Sequence, residues 1–286
     1  MNKQLEKGII FDIKQFSLFD GIGLRQTVFL KGCPLKCSWC QNPEGKLFKP
    51  QLMVGYASCL HCDACKRVCP SPDNCTLCGK CIEVCPVNIR KICGKEYSSA
   101  ELETLIRKDA DYYEKLGGGT TFSGGEPLSQ PKFLSETLSR IPDLNTCIET
   151  SGYTSNSVFQ EIYDKLSFII MDLKIMDPLI HKKYVGVDNK IILQNARFLT
   201  QGKKPFIIRI PVIPGVNDND QNYLKTAEFL KGSKNLIKVE LLPYQKAAGA
   251  KYPMVNEYYN PSFDTEKEVY INQEIFSERG IRSSIL

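Results

Sequence analysis

Phe168-Ile-Ile-Met-Asp-Leu173 and Phe206-Ile-Ile-Arg-Ile-Pro-Val-Ile213 are two almost continuous apolar runs of strand length. Strands that are buried on both faces of a parallel sheet have this composition, because helices cover each face. Parallel strands also need crossover connections, which are usually helices. The two runs therefore predict an α/β fold in which strands and helices alternate along the chain.

The alternation extends in both directions from these runs. Four further strand patterns occupy residues 26–30, 120–122, 145–150 and 237–242. Helical patterns lie near residues 98–116, 131–140, 155–166, 178–184, 189–199, 219–230 and 265–279. A complete eight-stranded barrel usually needs about 250 residues, but only six strand units are visible here. We therefore predict an open, partial (β/α)6 barrel with a small inserted ferredoxin-like domain.

The composition limits the class of protein. Of the 286 residues, 42% are hydrophobic and 24% are charged, as in ordinary globular proteins. No apolar run approaches the roughly 18 residues of a membrane span, and the polar start Met1–Glu6 lacks the apolar region of a secretory signal. We therefore expect a cytoplasmic protein with no membrane partner. The formal charge of +5 comes from Lys and Arg interspersed with Asp and Glu, which argues against a nucleic-acid partner.

Thirteen cysteines are the least ordinary feature of the composition. Because the number is odd and the cytoplasm keeps thiols reduced, a disulfide framework is not expected. Eleven of the cysteines lie close together between Cys33 and Cys85, which indicates metal binding. We interpret Cys93 and Cys147 as core residues, and the two histidines, His61 and His181, as incidental rather than as ligands.

The first metal motif is Cys33-Pro-Leu-Lys-Cys37-Ser-Trp-Cys40, in which an aromatic residue precedes the third cysteine. Three thiolates on one loop can hold three irons of a 4Fe–4S cube and leave the fourth iron open to another ligand. Structural zinc sites typically use four protein ligands, and this loop contains no fourth cysteine or histidine. Cys33, Cys37 and Cys40 therefore predict a cluster with one vacant corner.

Two ferredoxin-type runs follow, Cys59-x2-Cys62-x2-Cys65-x3-Cys69-Pro70 and Cys75-x2-Cys78-x2-Cys81-x3-Cys85-Pro86. In two-cluster ferredoxins the fourth cysteine of each run binds the other cluster. This rule assigns one 4Fe–4S cluster to Cys59, Cys62, Cys65 and Cys85, and another to Cys69, Cys75, Cys78 and Cys81. Zinc is the alternative metal. The five-residue spacer between the runs is shorter than in familiar ferredoxins, so the surrounding fold could be abbreviated.

These motifs predict two structural units. Residues 59–95 form the insert, and residues 1–58 together with 96–286 form the partial barrel. We interpret the insert as a route for electrons to the first cluster, or as the docking site of an external ferredoxin or flavodoxin. A purely structural role is the alternative.

The Cys33–Cys40 loop with Trp39 resembles the signature of the radical S-adenosylmethionine (SAM) superfamily, and Ser123-Gly-Gly-Glu-Pro127 resembles its GGE motif. Six motifs agree in order with the activating enzymes of glycyl radical enzymes, such as the pyruvate formate-lyase activase. They are Gly21-Ile-Gly-Leu-Arg25, Gly117-Gly-Gly-Thr-Thr-Phe-Ser-Gly-Gly-Glu126, Cys147-Ile-Glu-Thr-Ser-Gly152, Met171-Asp-Leu-Lys174, Arg209-Ile-Pro-Val-Ile-Pro-Gly215 and Leu241-Leu-Pro-Tyr244. The resemblance covers nearly the whole chain outside the insert.

The resemblance implies a reaction and a partner. In that family the open iron binds SAM, one electron from the reduced cluster breaks the sulfonium–carbon bond, and the resulting 5′-deoxyadenosyl radical removes a hydrogen atom from a glycine Cα of a partner enzyme. The difficult chemistry then belongs to the cofactors, and no side chain is assigned a catalytic role beyond them. The implied cofactors are SAM, three 4Fe–4S clusters and a monovalent cation.

The resemblance also implies a set of SAM contacts: Trp39, Cys40, Gln41, Gly124, Gly125, Asp172, Leu173, Lys174, Arg209 and Gln245. The Gly124 backbone would meet the methionine amino group, and Lys174 and Arg209 would supply positive charge near the carboxylate or ribose. Asp172 and Glu149 would help to hold the cation. Gln245 departs from the formate-lyase activase, which has a histidine there, and an amide cannot become cationic.

Two other functions remain open from the sequence. A radical SAM enzyme that acts on a small molecule or on another kind of protein would share the first site. A non-enzymatic electron carrier would need only the insert, which argues against that class.

Overall fold

The computed structural model describes residues 5–286. Eleven strands lie within this range: β1 (Lys7–Ser17), β2 (Arg25–Leu30), β3 (Gln51–Val54), β4 (Arg90–Cys93), β5 (Lys95–Ser98), β6 (Gly119–Gly124), β7 (Thr146–Thr150), β8 (Phe168–Asp172), β9 (Phe206–Val212), β10 (Leu236–Pro243) and β11 (Ser283–Ile285).

Nine of the strands form one sheet, in the order β11-β10-β9-β8-β7-β6-β2-β1-β5. The six predicted strands, β2 and β6–β10, are mutually parallel neighbours. The short strand β11 extends one edge in parallel, whereas β1 and β5 extend the other edge in antiparallel pairs. Because β11 and β5 are separate ends of the sheet, the barrel is open, which confirms the prediction of an open α/β barrel.

Ten α-helical segments lie within the same range: α1 (Ala64–Val68), α2 (Lys80–Glu83), α3 (Ser99–Arg107), α4 (Ala110–Lys115), α5 (Pro131–Arg140), α6 (Asn156–Lys165), α7 (Pro178–Val185), α8 (Lys190–Gln201), α9 (Asp220–Leu230) and α10 (Glu274–Ser277). The longer helices follow the parallel strands as crossovers. Their apolar faces join the main core, where Leu134, Ile162 and Leu199 are buried with Ile148 and Ile208.

The predicted helix over 98–116 is correct in type but is divided into α3 and α4. The Ser98 hydroxyl accepts a hydrogen bond from the Glu101 amide, and the Glu101 carboxylate accepts one from the Ser98 amide at 2.7 Å. This capping box satisfies two amide groups that the first helical turn would leave unpaired.

The helix predicted over 265–279 is wrong except for α10. The preceding chain is irregular because the barrel supplies its hydrogen bonds: the Tyr223 hydroxyl donates to the Tyr270 carbonyl at 2.6 Å, and the Tyr270 amide donates to Asp218 at 3.3 Å. Val269 and Ile271 pack against the main core. Side chains two residues apart share one side of an extended chain, so tertiary contacts override the local helical tendency.

The cysteine-rich region rises from a separate two-stranded sheet. Strands β3 and β4 pair in antiparallel, with Gln51 opposite Cys93 and Val54 opposite Arg90. No residue from 55 to 92 is buried, so this region lacks an apolar core of its own. Nowhere in residues 5–286 does a helix have the length and apolar character needed to cross a membrane.

Candidate cofactor cleft and cluster sites

A cleft of about 230 Å³ lies where the parallel strands end. Parallel strands bring their carboxyl ends to one edge of the sheet, which is where open α/β folds bind ligands. Gly124, Thr150, Asp172 and Pro243 end β6, β7, β8 and β10 and line this cleft. All three cysteines of the first motif, Cys33, Cys37 and Cys40, lie in its wall.

Backbone hydrogen bonds hold the cysteine loop in place. The Gly32 amide donates to the Gly45 carbonyl at 2.7 Å, which closes the loop at its base. The Lys36 amide donates to Val185 at 2.8 Å, and the Ser38 amide donates to Tyr184 at 2.9 Å. Because both acceptors lie at the end of α7, the loop is anchored to the barrel on two sides.

Burial raises the pKa of each of the three thiols, that of Cys37 to about 12. Without metal the thiols are therefore neutral, and iron binding would replace their protons. Across residues 5–286, no three His, Cys, Asp or Glu side chains converge on one point as a single metal ion requires. A four-iron cube differs from such a site because each thiolate binds a separate iron.

Gly124 allows β6 to lie close to the end of β2, and Gly125 allows the chain after β6 to approach the base of the cysteine loop. Gly124 has φ +130°, and a Cβ there would lie 2.2 Å from the Leu30 carbonyl oxygen. A Cβ on Gly125 would lie 2.4 Å from the Gly45 oxygen and 2.6 Å from the Gly32 oxygen. Both glycines are thus needed for the cleft to form, independently of any contact with a ligand.

We expect Gly125→Ala to lower the iron bound at the first site, because the added methyl group must push the base of the cysteine loop outward. Overpacking of this kind typically costs about 1–3 kcal/mol. Iron content and visible absorption after anaerobic reconstitution measure the effect. Gly55→Ala is the matched control, since its Cβ would meet its nearest neighbour at an ordinary 3.6 Å. Equal iron retention in both variants would contradict the steric explanation.

Each carboxylate on the cleft wall already has protein partners. Glu126 accepts hydrogen bonds from Thr150 at 2.6 Å, from the Ser151 amide and hydroxyl at 2.8 and 2.5 Å, and from the Leu128 amide at 3.0 Å. Burial nevertheless raises the pKa of Glu126. These contacts fix the carboxylate between β6 and β7 and leave it poorly suited to ligate iron.

The other two carboxylates are engaged by cations. Asp172 accepts a hydrogen bond from the Lys174 ammonium at 2.6 Å, and Glu149 accepts from Ser123 at 2.7 Å and from Arg209. Burial opposes charge on Lys174, but the Asp172 carboxylate outweighs it and the Lys174 pKa is raised. Burial likewise opposes charge on Glu149, but Arg209 and Ser123 lower its pKa. The donor set of the cleft is therefore three thiols with no free fourth ligand, which fits a cube with an open corner.

Arg209 lies beneath the cleft wall rather than in it. Its guanidinium donates to Glu149, to Glu240 at 2.7 Å and to the Phe19 carbonyl. Burial would lower the Arg209 pKa, but the two carboxylates raise it. The Arg209 side chain is thus a buried cation that links three elements: β7, β10 and the loop after β1.

Seven of the ten SAM contacts implied by the resemblance line the cleft: Trp39, Cys40, Gln41, Gly124, Gly125, Asp172 and Lys174. Leu173 lies in the main core, 2% exposed. Gln245 is exposed, beside the cleft residue Tyr244. The Cys93 and Cys147 side chains are buried at 2% and 0% exposure, as expected of core residues. His181 is also buried, and its ring Nδ1 lies 2.7 Å from the Val187 carbonyl.

Sequence reasoning missed one residue of the cleft wall, Lys46, and one residue that supports the cysteine loop, Tyr252. Lys46 lines the cleft, and its position six residues after Cys40 was the available signal. Tyr252 donates a hydrogen bond to the Cys40 carbonyl at 3.1 Å. It lies in an irregular segment more than 200 residues away along the chain, and no local pattern marks it.

A second cavity, of about 490 Å³, lies within the insert. Its wall contains all four cysteines assigned to one of the insert clusters, together with one from the other: Cys69, Cys75, Cys78, Cys81 and Cys65. Arg90 also lines this cavity. Cys59, Cys62 and Cys85 lie elsewhere in the insert, and the Cys59 sulfur accepts a hydrogen bond from the His61 amide at 3.4 Å.

Comparison with known proteins agrees with this geometry. Residues 27–227 match the radical SAM superfamily. The crystal structure of QueE from Escherichia coli superposes with a TM-score of 0.51 at 15% sequence identity, covering 98% of this chain and 94% of that one. At that level of identity the likeness concerns the fold alone. The open barrel with a three-cysteine loop at its carboxyl edge is therefore a radical SAM fold, and the chain belongs to that superfamily.

Curated relatives narrow the family. The 4-hydroxyphenylacetate decarboxylase activating enzyme of Clostridioides difficile (strain 630) is 37% identical, covering 98% of this chain and 96% of its own length. The (2S)-3-sulfopropanediol dehydratase activating enzyme of Klebsiella oxytoca is 40% identical, covering 97% and 96%. The choline trimethylamine-lyase activating enzyme of Oleidesulfovibrio alaskensis is 35% identical, covering 88% of each chain. The chain is thus a radical SAM enzyme of the family that activates glycyl radical enzymes.

Proposed function

We propose that the cleft binds SAM against a 4Fe–4S cluster on Cys33, Cys37 and Cys40, and that the enzyme uses the pair to install a glycyl radical on a partner enzyme. When bound and reduced by one electron, this cofactor pair supplies a carbon radical able to take a hydrogen atom from glycine. One observation carries the proposal. The cleft wall contains three thiols, and every carboxylate in the same wall is already engaged by protein groups.

The chain itself positions the cofactors and excludes water. Trp39 is 6% exposed and forms an apolar wall with Leu35, Ile213 and Val216. Lys174, held by Asp172, presents a fixed positive charge inside the cleft, where the methionine carboxylate would lie. We assign Asp172 and Glu149 to the monovalent cation, since two adjacent strand ends carry them and the Asp172 Oδ1 atom lies outside the ion pair with Lys174. Leu173, Arg209 and Gln245 do not line the cleft; each lies next to a residue that does, and we propose that they support the SAM site indirectly.

We further propose that the insert, residues 59–95, holds two 4Fe–4S clusters and delivers electrons from a cytoplasmic ferredoxin or flavodoxin. Domains of fewer than about 40 residues usually need metals or disulfides to fold. The exposed cysteines and the missing apolar core of residues 55–92 fit that requirement. The cavity lined by five insert cysteines supports a cluster rather than scattered thiols.

Removing iron is expected to loosen the insert while the barrel stays folded, because only the insert lacks a core. In hydrogen–deuterium exchange, amides of residues 59–85 should lose most of their protection in metal-free protein. Amides of β7, β8 and β9, whose residues are mostly buried, should keep theirs. Similar protection of the insert with and without iron would contradict a metal-supported fold.

The function is tested by mixing reduced, reconstituted enzyme with SAM and a candidate partner in the absence of oxygen. We expect a doublet-type glycyl radical signal in electron paramagnetic resonance (EPR). SAM cleavage with no radical on any glycyl radical enzyme tested would favour a substrate outside this class. The named partners of the relatives include a decarboxylase, a dehydratase and a lyase, and they define the first panel of candidates.

A further inference from the structure

The segment Lys251–Asn256 contacts the Cys33–Cys40 loop and the residues just after it through its first two residues, Lys251 and Tyr252. The Tyr252 hydroxyl donates to the Cys40 carbonyl at 3.1 Å, and Tyr252 is 4% exposed. The Lys251 ammonium donates to the Glu44 carboxylate at 2.7 Å, just beyond the third cysteine. The segment is therefore fixed to the cysteine loop by one neutral and one charged hydrogen bond.

The last residues of the same segment, Met254–Asn256, pack against the base of the insert. Met254 and Asn256 line the insert cavity, and Val255 is buried with Met53 and Cys93 beside them. Met53 and Cys93 belong to β3 and β4, the strands from which the insert rises. A single residue, Pro253, thus separates Tyr252, which contacts Cys40, from Met254 in the wall of the insert cavity.

We propose that Tyr252, through its hydrogen bond to Cys40, is the positioning residue of an electron path that runs from the insert through Met254 to the first cluster. This inference rests on the proposed electron delivery. One electron leaves a reduced insert cluster, which is thereby oxidised by one electron, and the cluster on Cys33, Cys37 and Cys40 is reduced by one electron. A low-potential protein donor such as reduced flavodoxin replaces the electron.

The path is shorter than the alternative along the chain. Electronic coupling passes better through covalent and hydrogen bonds than across gaps. This route needs one hydrogen bond, the Tyr252 side chain, the backbone from Tyr252 to Met254, and one step across the insert cavity from Met254 to the cluster. The covalent route from Cys40 to the first insert cysteine, Cys59, runs through the whole of residues 41–58. The buried Tyr252 ring also keeps water out of the contact.

The matched variants are Tyr252→Phe and Tyr259→Phe. The first removes the hydroxyl that reaches Cys40 but keeps the ring, over which the Lys46 ammonium lies 4.3 Å from the centroid. The second removes a hydroxyl from the ring packed against Tyr252 at 4.8 Å, and that hydroxyl bonds Tyr244 at 3.0 Å. Only the first variant therefore interrupts the proposed path.

The experiment mixes oxidised holoenzyme with reduced flavodoxin and follows each cluster by freeze-quench EPR, with cluster potentials measured by redox titration. Tyr252→Phe is expected to slow reduction of the first cluster about tenfold, with unchanged insert reduction, iron content and potentials. Tyr259→Phe is expected to match the wild type. A wild-type rate in Tyr252→Phe, or a slower rate accompanied by a shifted potential, would overturn the path.

Failure of electron delivery itself has a different signature. In a variant with Cys59, Cys62 and Cys65 replaced by alanine, we expect slow reduction of the first cluster by flavodoxin. A wild-type rate in that variant would overturn the insert's role, whatever Tyr252→Phe does. A slow insert variant combined with a wild-type rate in Tyr252→Phe would leave the insert's role standing and reject Tyr252 alone.

Discussion

Cys37→Ala is expected to abolish SAM cleavage and glycyl radical formation. Cys37 lies in the cleft wall with the other two thiols of the loop, and a cube held by two thiolates has lost one of its three anchors. The remaining bound iron should be that of the insert, so iron per chain should fall by about one third if all three sites hold four irons. Anaerobic iron analysis and EPR on the purified variant measure this change.

Cys147→Ala is the matched control for that experiment. Cys147 is also buried, at 0% exposure, but it lies in a small apolar cluster with Phe168, Ile170 and Ile207. Its replacement leaves a small cavity and should preserve iron content and activity. Retained SAM cleavage in Cys37→Ala, or an equal loss of iron in both variants, would show that the first site is not a three-thiolate cluster.

Arg209→Met is expected to cause the largest loss of stability among single substitutions in the barrel. It leaves the Glu149 carboxylate without its ion-pair partner, and it leaves the buried Glu240 carboxylate with Lys238 alone, at 2.8 Å. Breaking a buried ion pair in this way typically costs about 3–5 kcal/mol. Thermal or urea unfolding of metal-free protein, followed by circular dichroism, measures the effect.

The double variant Arg209→Met/Glu149→Gln should regain part of that loss, because the carboxylate charge that loses its ion-pair partner is removed together with the cation. Arg107→Met is the surface control: its side chain is 39% exposed in pairs with Glu103 and Asp143, and exposed pairs contribute little. If Arg209→Met were no more destabilising than Arg107→Met, the buried network would not hold β7, β9 and β10 together.

The open barrel could be predicted because its six central strands carry the pattern of doubly covered parallel strands. In β9, for example, six of the seven residues are buried. The edge strand β1 was not predicted, since its sequence Lys-Gly-Ile-Ile-Phe-Asp-Ile-Lys-Gln-Phe-Ser mixes exposed and buried positions without strict alternation. Local patterns thus identified the centre of the sheet but not its edges.

The cofactor cleft was predictable to the extent that its residues follow strand ends or lie on the cysteine loop. Asp172 and Lys174 are examples, because they lie at and just beyond the end of an apolar strand. The partners of Arg209 were not predictable: Phe19 and Glu240 are distant from it along the chain. Tyr252 gave no signal either, because it acts through a contact that only the tertiary fold creates.

The central claim is that the cluster on Cys33, Cys37 and Cys40 offers one iron corner to SAM. The most direct measurement is electron–nuclear double resonance on the reduced holoenzyme, with SAM isotopically labelled in its amino nitrogen and carboxylate oxygens. The account predicts hyperfine coupling from both labels in the wild type and none in Cys37→Ala. A wild-type cluster that shows no coupling to either label, or whose fourth iron is bound by a protein side chain, would contradict it.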